Sequence, residues 1–281
     1  MENSKPIIKV DNLQFRYGKG GTLALKGISL EIQQGEFVAI LGQNGSGKTT
    51  LVRHFNGLLQ PSGGSVLIKG MDTKVTPVST MAATVGYVFQ NPDHQIFCSS
   101  VWEEITFGPK NLGFSKAVIE KNAKEALQIM ELEGREGRHP HSLSRGERQR
   151  LAIASVLAIK PDIIILDEPT GGQDKARTER LMSLLQTLNA QGHTIIVISH
   201  DIELAAEYAK RILVIFEGGL LLDGDPRDVF LEEEKLQQTF LTVPDIFAFT
   251  RSIGMPRPAL TPREFVADFK LIKAEYAHVS R

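Results

Sequence analysis

Apolar positions along the chain fall into three successive regimes. The first is made of short bursts. Ile7-Ile8-Lys9-Val10, Leu13-Gln14-Phe15-Arg16-Tyr17 and Ile28-Ser29-Leu30-Glu31-Ile32 alternate or run apolar, which predicts short strands of a β-rich edge. Gly18-Lys19-Gly20-Gly21 and Pro61-Ser62-Gly63-Gly64 predict turns, and Val66-Leu67-Ile68 and Val85-Gly86-Tyr87-Val88-Phe89 continue the strand pattern. From Pro92 to about Arg138 the period becomes helical: Val118, Ile119, Ala123, Ala126, Leu127, Met130 and Leu132 share one face, with Ser115 at the N-cap position. Strands then return as the unbroken runs Ile163-Ile164-Ile165-Leu166 and Thr194-Ile195-Ile196-Val197-Ile198, the pattern of parallel strands buried on both faces, with a charged helix over residues 176 to 188 between them. After Asp228 the chain reads as helical again. Val243-Pro244 and Met255-Pro256-Arg257-Pro258 mark joints in a short tail, and a boundary is expected near residue 240. The class is α/β.

Composition narrows the function. With 281 residues, 42% apolar and 23% charged, the chain can bury a sizeable core. A net charge of −1 without a basic tract argues against nucleic acid as a partner. The single cysteine, Cys98, has no companion for a disulfide or a zinc site, which fits a reducing compartment. No apolar run approaches the ~18 residues that cross a bilayer, and the first nine residues lack a signal-peptide core, so a cytosolic chain is expected. A peripheral seat on a membrane protein stays open, because it needs only a docking groove.

The strongest chemical signal is Gly42-Gln43-Asn44-Gly45-Ser46-Gly47-Lys48-Thr49, directly after the apolar run Phe37-Val38-Ala39-Ile40-Leu41. It matches the phosphate-loop pattern G-x-x-x-x-G-K-[ST] between a strand and a helix. Glycines let the backbone turn several N–H groups toward one point, and the helix opening at Lys48 adds its positive end. Lys48 would place a point charge on the β- and γ-phosphates, and Thr49 a hydroxyl ligand on Mg²⁺. The run Ile163 to Leu166 delivers two carboxylates, Asp167 and Glu168, at the strand end where α/β folds bind ligands. Asp167 is placed to hold Mg²⁺, directly or through water, and Glu168 to act as general base on the attacking water.

Leu143-Ser144-Arg145-Gly146-Glu147, shortly before that pair, makes the chain resemble the ATP-binding subunits of ABC transporters. Their signature is Leu-Ser-Gly-Gly-Gln; here Arg145 replaces the first glycine and Glu147 the glutamine. By itself the segment reads equally as a helix cap or a nucleotide contact. The resemblance implies an ABC-type phosphate-loop nucleotidase: a mainly parallel core sheet, an antiparallel β edge, a helical subdomain over about 92–155, and a short helical extension over 241–281 after a cassette spanning 1–240. It implies ATP and Mg²⁺ as ligands, held by residues 42–49 and Thr50. Tyr17 would stack on adenine, although alone it reads as a strand residue packing on its neighbours. Gln90 would sense Mg²⁺ and the attacking water. His200 would contact the γ-phosphate, although alone it reads as a polar loop residue. Ser144, Gly146 and Glu147 would close over ATP held by a second ATPase subunit, identical or related. Asp174, in Gly171-Gly172-Gln173-Asp174, would lie in the loop crossing that interface, with Gln173 and Lys175 departing from the usual Leu and Pro.

Within the family, Gln90-Asn91-Pro92-Asp93-His94-Gln95-Ile96-Phe97 and Phe107-Gly108-Pro109-Lys110-Asn111-Leu112-Gly113 look like the ATPases of energy-coupling factor importers of vitamins, cobalt and nickel. This implies an integral-membrane transporter subunit and a small substrate-binding membrane protein as partners, and a seat on the cytoplasmic face of the membrane. It implies that Asp93, Gln95 and Phe97 transmit motion to the membrane subunit, whereas Ile96 and Phe97 read equally as helix core. The tail after residue 240 resembles a dimerisation element of that group. A slowly hydrolysing subunit of a heterodimer, suggested by Arg145, and a soluble non-transport ABC protein are the alternatives.

Overall fold

The computed structural model describes residues 5–18, 20–171 and 173–279, with side chains through Leu271. Lys19 of the predicted turn, Gly172 of the loop before Asp174, residues 1–4 of the N-terminal stretch and residues 280 and 281 of the tail lie outside the described residues.

The chain opens with β1 (Ile8–Arg16) and β2 (Leu23–Ile32), followed by β3 (Phe37–Leu41), α1 (Lys48–Phe55), β4 (Gly63–Ile68), β5 (Met71–Asp72), α2 (Val78–Thr84) and β6 (Val85–Val88). A helical segment of α3 (Val101–Asn111), α4 (Lys116–Ile129) and α5 (Arg145–Leu157) comes next. Strands and helices then alternate through β7 (Ile163–Asp167), α6 (Lys175–Ala190), β8 (Thr194–Ile198), α7 (Ile202–Tyr208) and β9 (Arg211–Phe216). The last elements are β10 (Gly219–Gly224), α8 (Pro226–Leu231), α9 (Glu233–Gln238), α10 (Asp245–Ser252) and α11 (Pro262–Val279).

Among the described residues the strands form two sheets, a four-stranded antiparallel one in the order β2-β1-β4-β5 and a six-stranded one in the order β10-β9-β3-β8-β7-β6. In the second sheet every pairing is parallel except β9 with β10. Strand periodicity explains how this sheet anchors two cores at once. Ile163 and Ile165 of β7 face the antiparallel sheet and α1, packing with Ile8, Leu13, Leu51 and Phe55. Ile164 and Leu166, on the other face, pack with Val101, Ala123 and Leu151 of the helical segment. A third cluster sets Leu41 and Val214 against Phe230 of α8 and Phe247 of α10, whose rings meet edge to face at 5.6 Å. Leu241 and α10 of the tail thus pack on the strands of the main body.

Two expectations need correction, and one hairpin went unread. Residues 7–10 and 13–17 were expected as two strands, but form the single strand β1 with a bulge. Asn12 takes φ +44°, which asparagine tolerates, and the two exposed residues Asp11 and Asn12 let both Val10 and Leu13 point inward. Gly63 and Gly64 open β4 rather than completing a turn. The hairpin of β9 and β10 was not anticipated, although the apolar run 212–216 before Glu217-Gly218 carried a strand-and-turn signal.

Candidate nucleotide site

All five residues of β3 are buried, and the chain leaves its end through glycines that the packing requires. At Gly42 φ is +145° and a Cβ would stand 2.2 Å from the Ile215 carbonyl oxygen of β9. Gly47 is left-handed at φ +111° and opens α1. No acidic residue sits in the first turn of α1, so the positive end of the helix is uncompensated there. Lys48 curls back over the loop, its Nζ donating to the carbonyls of Gly42 (2.6 Å) and Gln43 (2.9 Å). Burial pushes its pKa down, and the carboxylates of Glu168 and Asp167 pull it partly back up. Ser46 Oγ is buried without a hydrogen-bond partner among the described residues. The loop is therefore built to receive acceptors.

Asn44, Gly45, Gly47, Lys48, Thr49 and Thr50 line a cleft of about 270 Å³ together with Tyr17, Gln90, Asp167 and Glu168. Residues from four separate stretches of sequence thus meet. Thr49 Oγ1 donates to Asp167 Oδ2 at 3.0 Å and the Tyr87 hydroxyl donates to the same oxygen at 2.7 Å. Burial, and then the Asp167 carboxylate, push the Tyr87 phenol far above its ordinary pKa, so it stays a donor. A hydroxyl, a carboxylate and the Gln90 amide are hard oxygen donors, too few for an all-protein cage but suited to Mg²⁺, which keeps waters and phosphate oxygens in its shell. Among the described residues no cluster of three His, Cys, Asp or Glu offers a different metal site.

Glu168 sits in the left-handed region at φ +48°, a conformation that costs a non-glycine residue about 1–3 kcal/mol and is held here by its N–H donating to the Ile198 carbonyl at 3.0 Å. Its carboxylate, 10% exposed, lies 2.8 Å from Nδ1 of His200, which is 72% exposed at the end of β8. Protonated at Nδ1, His200 donates to Glu168 and leaves Nε2 for a ligand. Tyr17 is pinned by its hydroxyl against Thr50 Oγ1 (2.9 Å) and by the edge of Phe15 (4.8 Å, 89°), yet remains 54% exposed and offers a ring face.

Ser144, Gly146, Glu147 and Asp174 do not join this cleft. They occupy the starts of α5 and α6. Ser144 and Glu147 form a capping box: Glu147 Oε2 accepts from the Ser144 N–H (2.9 Å) and hydroxyl (2.8 Å), and Ser144 Oγ accepts from the Glu147 N–H at 3.3 Å. Asp174 caps α6 and pairs with Arg177 at 3.3 Å. Arg177 also lies beside Gly146, where a Cβ would stand 3.5 Å from its Nη1, an ordinary van der Waals approach between the two helix starts. The Ser144 backbone and hydroxyl, helped by Arg135, hold the Glu147 carboxyl at about 2, below its ordinary 4.5. A depressed carboxyl stabilises the fold above its unfolded value and loses that contribution as pH falls toward the folded one. The melting temperature of Glu147→Gln, which keeps a neutral cap, is expected below the parent's at pH 7, with the gap narrowing below about pH 4.5 and closing only near pH 2. A gap unchanged between those limits would contradict this account of the cap.

The ABC transporter family profile matches residues 25–171, about half of the chain and the span that carries the phosphate loop, Ser144 to Glu147 and the Asp167-Glu168 pair. The chain is 46% identical to the energy-coupling factor transporter ATP-binding protein EcfA of Methanocaldococcus jannaschii over 85% of this chain and 86% of that one. The chain belongs to the ABC transporter family. It has the ATPase cassette fold of that family. CbiO1 of Clostridium perfringens, described as part of the ABC transporter complex CbiONQ, superposes with a TM-score of 0.75 at 38% identity, covering 88% of this chain and 99% of that one. A dimeric ATP-binding cassette in a post-hydrolysis state with ADP and Pi superposes at 0.71 with 32% identity, covering 78% and 98%. A putative ABC transporter ATP-binding protein of Caldanaerobacter subterraneus is 48% identical over 88% of this chain. The chain spans only 43% of that relative, and 45% of one from Methanosarcina acetivorans.

In this ABC cassette Tyr87 supports the site without having been singled out in the sequence for that contact. Tyr87 was readable only as a strand residue, because its partner Asp167 lies 80 positions away. Tyr87→Phe removes one hydrogen bond to a buried carboxylate, worth about 1.5–3 kcal/mol. Half-maximal ATP turnover is therefore expected to need about ten-fold more Mg²⁺, with Mg²⁺-free nucleotide binding unchanged. An unaltered Mg²⁺ titration would show that Asp167 is oriented without Tyr87.

Proposed function

We propose that the chain is the ATP-hydrolysing subunit of an energy-coupling-factor importer for a vitamin or a transition-metal ion, seated peripherally on the cytoplasmic face of the membrane. The convergence of Lys48, Thr49, Gln90, Asp167 and Glu168 in one cleft, with His200 on Glu168, carries the ATPase part of this reading, and the 46% identity to an energy-coupling factor transporter ATP-binding protein supports the importer part. The phosphate loop and Lys48 bind and orient the triphosphate of ATP against Tyr17. Thr49, Asp167 and Gln90 would hold Mg²⁺, which when bound would neutralise charge on the β- and γ-phosphates. Glu168 takes a proton from the attacking water as it bonds to the γ-phosphorus, and the bond to the β–γ bridging oxygen breaks to release ADP and phosphate. His200 orients Glu168 through its Nδ1–H, and its Nε2 would donate to a γ-phosphate oxygen only when that nitrogen also carries a proton.

Ser144, Gly146 and Glu147 complete the site of a second ATPase subunit, identical or related, and Asp174 lies where the two meet. Closure of that pair is the step coupled to transport. On the membrane side, Phe97 is 65% exposed and packs edge-on against Phe107 at 4.7 Å, an apolar patch beside the end of β6. Two contacts relay its position to α5: Asp93 pairs with Arg148 at 2.7 Å, and the Gln95 amide spans from the Phe89 N–H (3.2 Å) to the Ala152 carbonyl (3.0 Å). Arg148 Nη1 in turn donates to the Leu143 carbonyl at 2.7 Å, next to Ser144. Among the described residues no helix is long and apolar enough to cross a membrane, which is compatible with a peripheral subunit.

Affinity purification from gently solubilised membranes tests the reading. An integral-membrane coupling subunit and a small substrate-binding membrane protein are expected with the parent chain, and depleted with Phe97→Glu. Recovery of ribosomes or DNA-repair proteins, or of no membrane protein, would overturn it.

A further inference from the structure

We propose, resting on the reading of Tyr17 as the adenine platform, that His54 is a positioning residue for ATP, which sets the Tyr17 ring through Phe15 and Thr50. Tyr17 lies one residue past the end of β1, where ladder pairing stops at Arg16, so its side chain is oriented by contacts of its own. Two contacts do this. The hydroxyl bonds to Thr50 Oγ1 at 2.9 Å, and the Phe15 ring meets the Tyr17 ring edge-on at 4.8 Å. Both lead to His54. Its Nδ1 lies 2.7 Å from the carbonyl oxygen of Thr50, one turn earlier in α1, and its ring meets Phe15 at 4.8 Å and 77°. Tyr17, Thr50, His54 and Phe15 therefore close a circuit of contacts between α1 and the end of β1.

Packing alone does not explain a histidine there. His54 is fully buried, and its Nε2 has no hydrogen-bond partner among the described residues, a cost that an aliphatic side chain of similar size would avoid. Burial pushes the pKa of the ring down against the pull of the Thr50 and Gln60 carbonyls, so the imidazole is neutral at pH 7 and its Nδ1–H donates to Thr50. That bond fixes the direction of the ring. An edge-to-face contact then passes the direction on to Phe15, and a second one passes it from Phe15 to Tyr17, which a leucine in place of His54 could not do. The base-binding end of the cleft is thereby tied to the same helix, α1, whose start serves the phosphates.

Isothermal titration of the full chain with ATP and with inorganic tripolyphosphate, which carries no base, tests the role. His54→Ala is expected to weaken ATP about five-fold and to leave tripolyphosphate within about two-fold, whereas Tyr17→Ala should weaken ATP about ten-fold or more. Adding His54→Ala to Tyr17→Ala should cost nothing further, because the path to the base is already cut. In the parent chain the His54 Cε1–H resonance should move further on adding ATP than on adding tripolyphosphate, a readout that does not depend on how the variants fold. A loss shared equally by the two ligands, or a further loss on the Tyr17→Ala background, would make His54 a support of α1 alone and overturn the proposal. Equal movement of the resonance with both ligands would overturn it as well. Unchanged ATP affinity in His54→Ala beside a loss in Tyr17→Ala would overturn the role of His54 and keep the platform; unchanged affinity in Tyr17→Ala would remove the platform and the proposal together.

Discussion

Glu168→Gln is expected to lower ATP turnover by about 10³-fold, within the range for removing a general base, while nucleotide affinity stays near the parent's. Glutamine keeps the size of the side chain and one acceptor oxygen for the Nδ1 proton of His200, 2.8 Å from the present carboxylate. What it cannot do is take a proton from water. The left-handed backbone at φ +48° is the same burden for either residue, so the fold should not respond. Steady-state turnover and nucleotide affinity, measured on the same preparation, separate the two effects. A loss smaller than about ten-fold would mean that Glu168 is not the base and that charge stabilisation by Lys48 and Mg²⁺ carries the rate. His200→Ala provides the companion test, because it leaves Glu168 able to accept a proton but free to rotate; an intermediate loss is expected.

The parts of the site that could be read from the sequence are those whose chemistry is contiguous. Residues 42–49 follow their strand directly, and Asp167-Glu168 end theirs, so local pattern alone placed both at the same sheet edge. The parallel core strands were equally legible, because burial on both faces removes polar alternation from β7 and β8. What escaped is what folding brings together over long separations. Nothing near Tyr87 names Asp167, and nothing near Gly146 names Arg177; each is an ordinary strand or helix residue until the chain has folded. The bulge at Asn12 escaped for a different reason, since one extra residue interrupts the period-two pattern and makes one strand look like two. The segment Ser144 to Glu147 is instructive because its two readings were indistinguishable in sequence. The capping box makes the segment a helix start on purely local grounds, and a helix start with an exposed serine is also where an anion would settle.

Lys48→Met is expected to weaken ATP binding by about 10²-fold, the equivalent of one to two charge-assisted hydrogen bonds. The side chain is 6% exposed, and desolvation acts against its charge more strongly than Glu168 and Asp167 act for it. A buried ammonium whose pKa is lowered in this way costs the fold something that is recovered when phosphate oxygens arrive, so its charge is maintained for the ligand. Methionine keeps the unbranched stem and removes the charge, leaving the carbonyls of Gly42 and Gln43 without their 2.6 and 2.9 Å donor. These two changes oppose each other in the ligand-free fold, where the melting temperature should stay within a few degrees of the parent's. With saturating ATP the parent should gain stability through binding and the variant little. Thermal melts with and without ATP therefore report binding against an internal control. If the variant melted far below the parent without nucleotide, Lys48 would be a structural pin of the loop; if it gained as much stability from ATP as the parent, the lysine would not be a phosphate ligand.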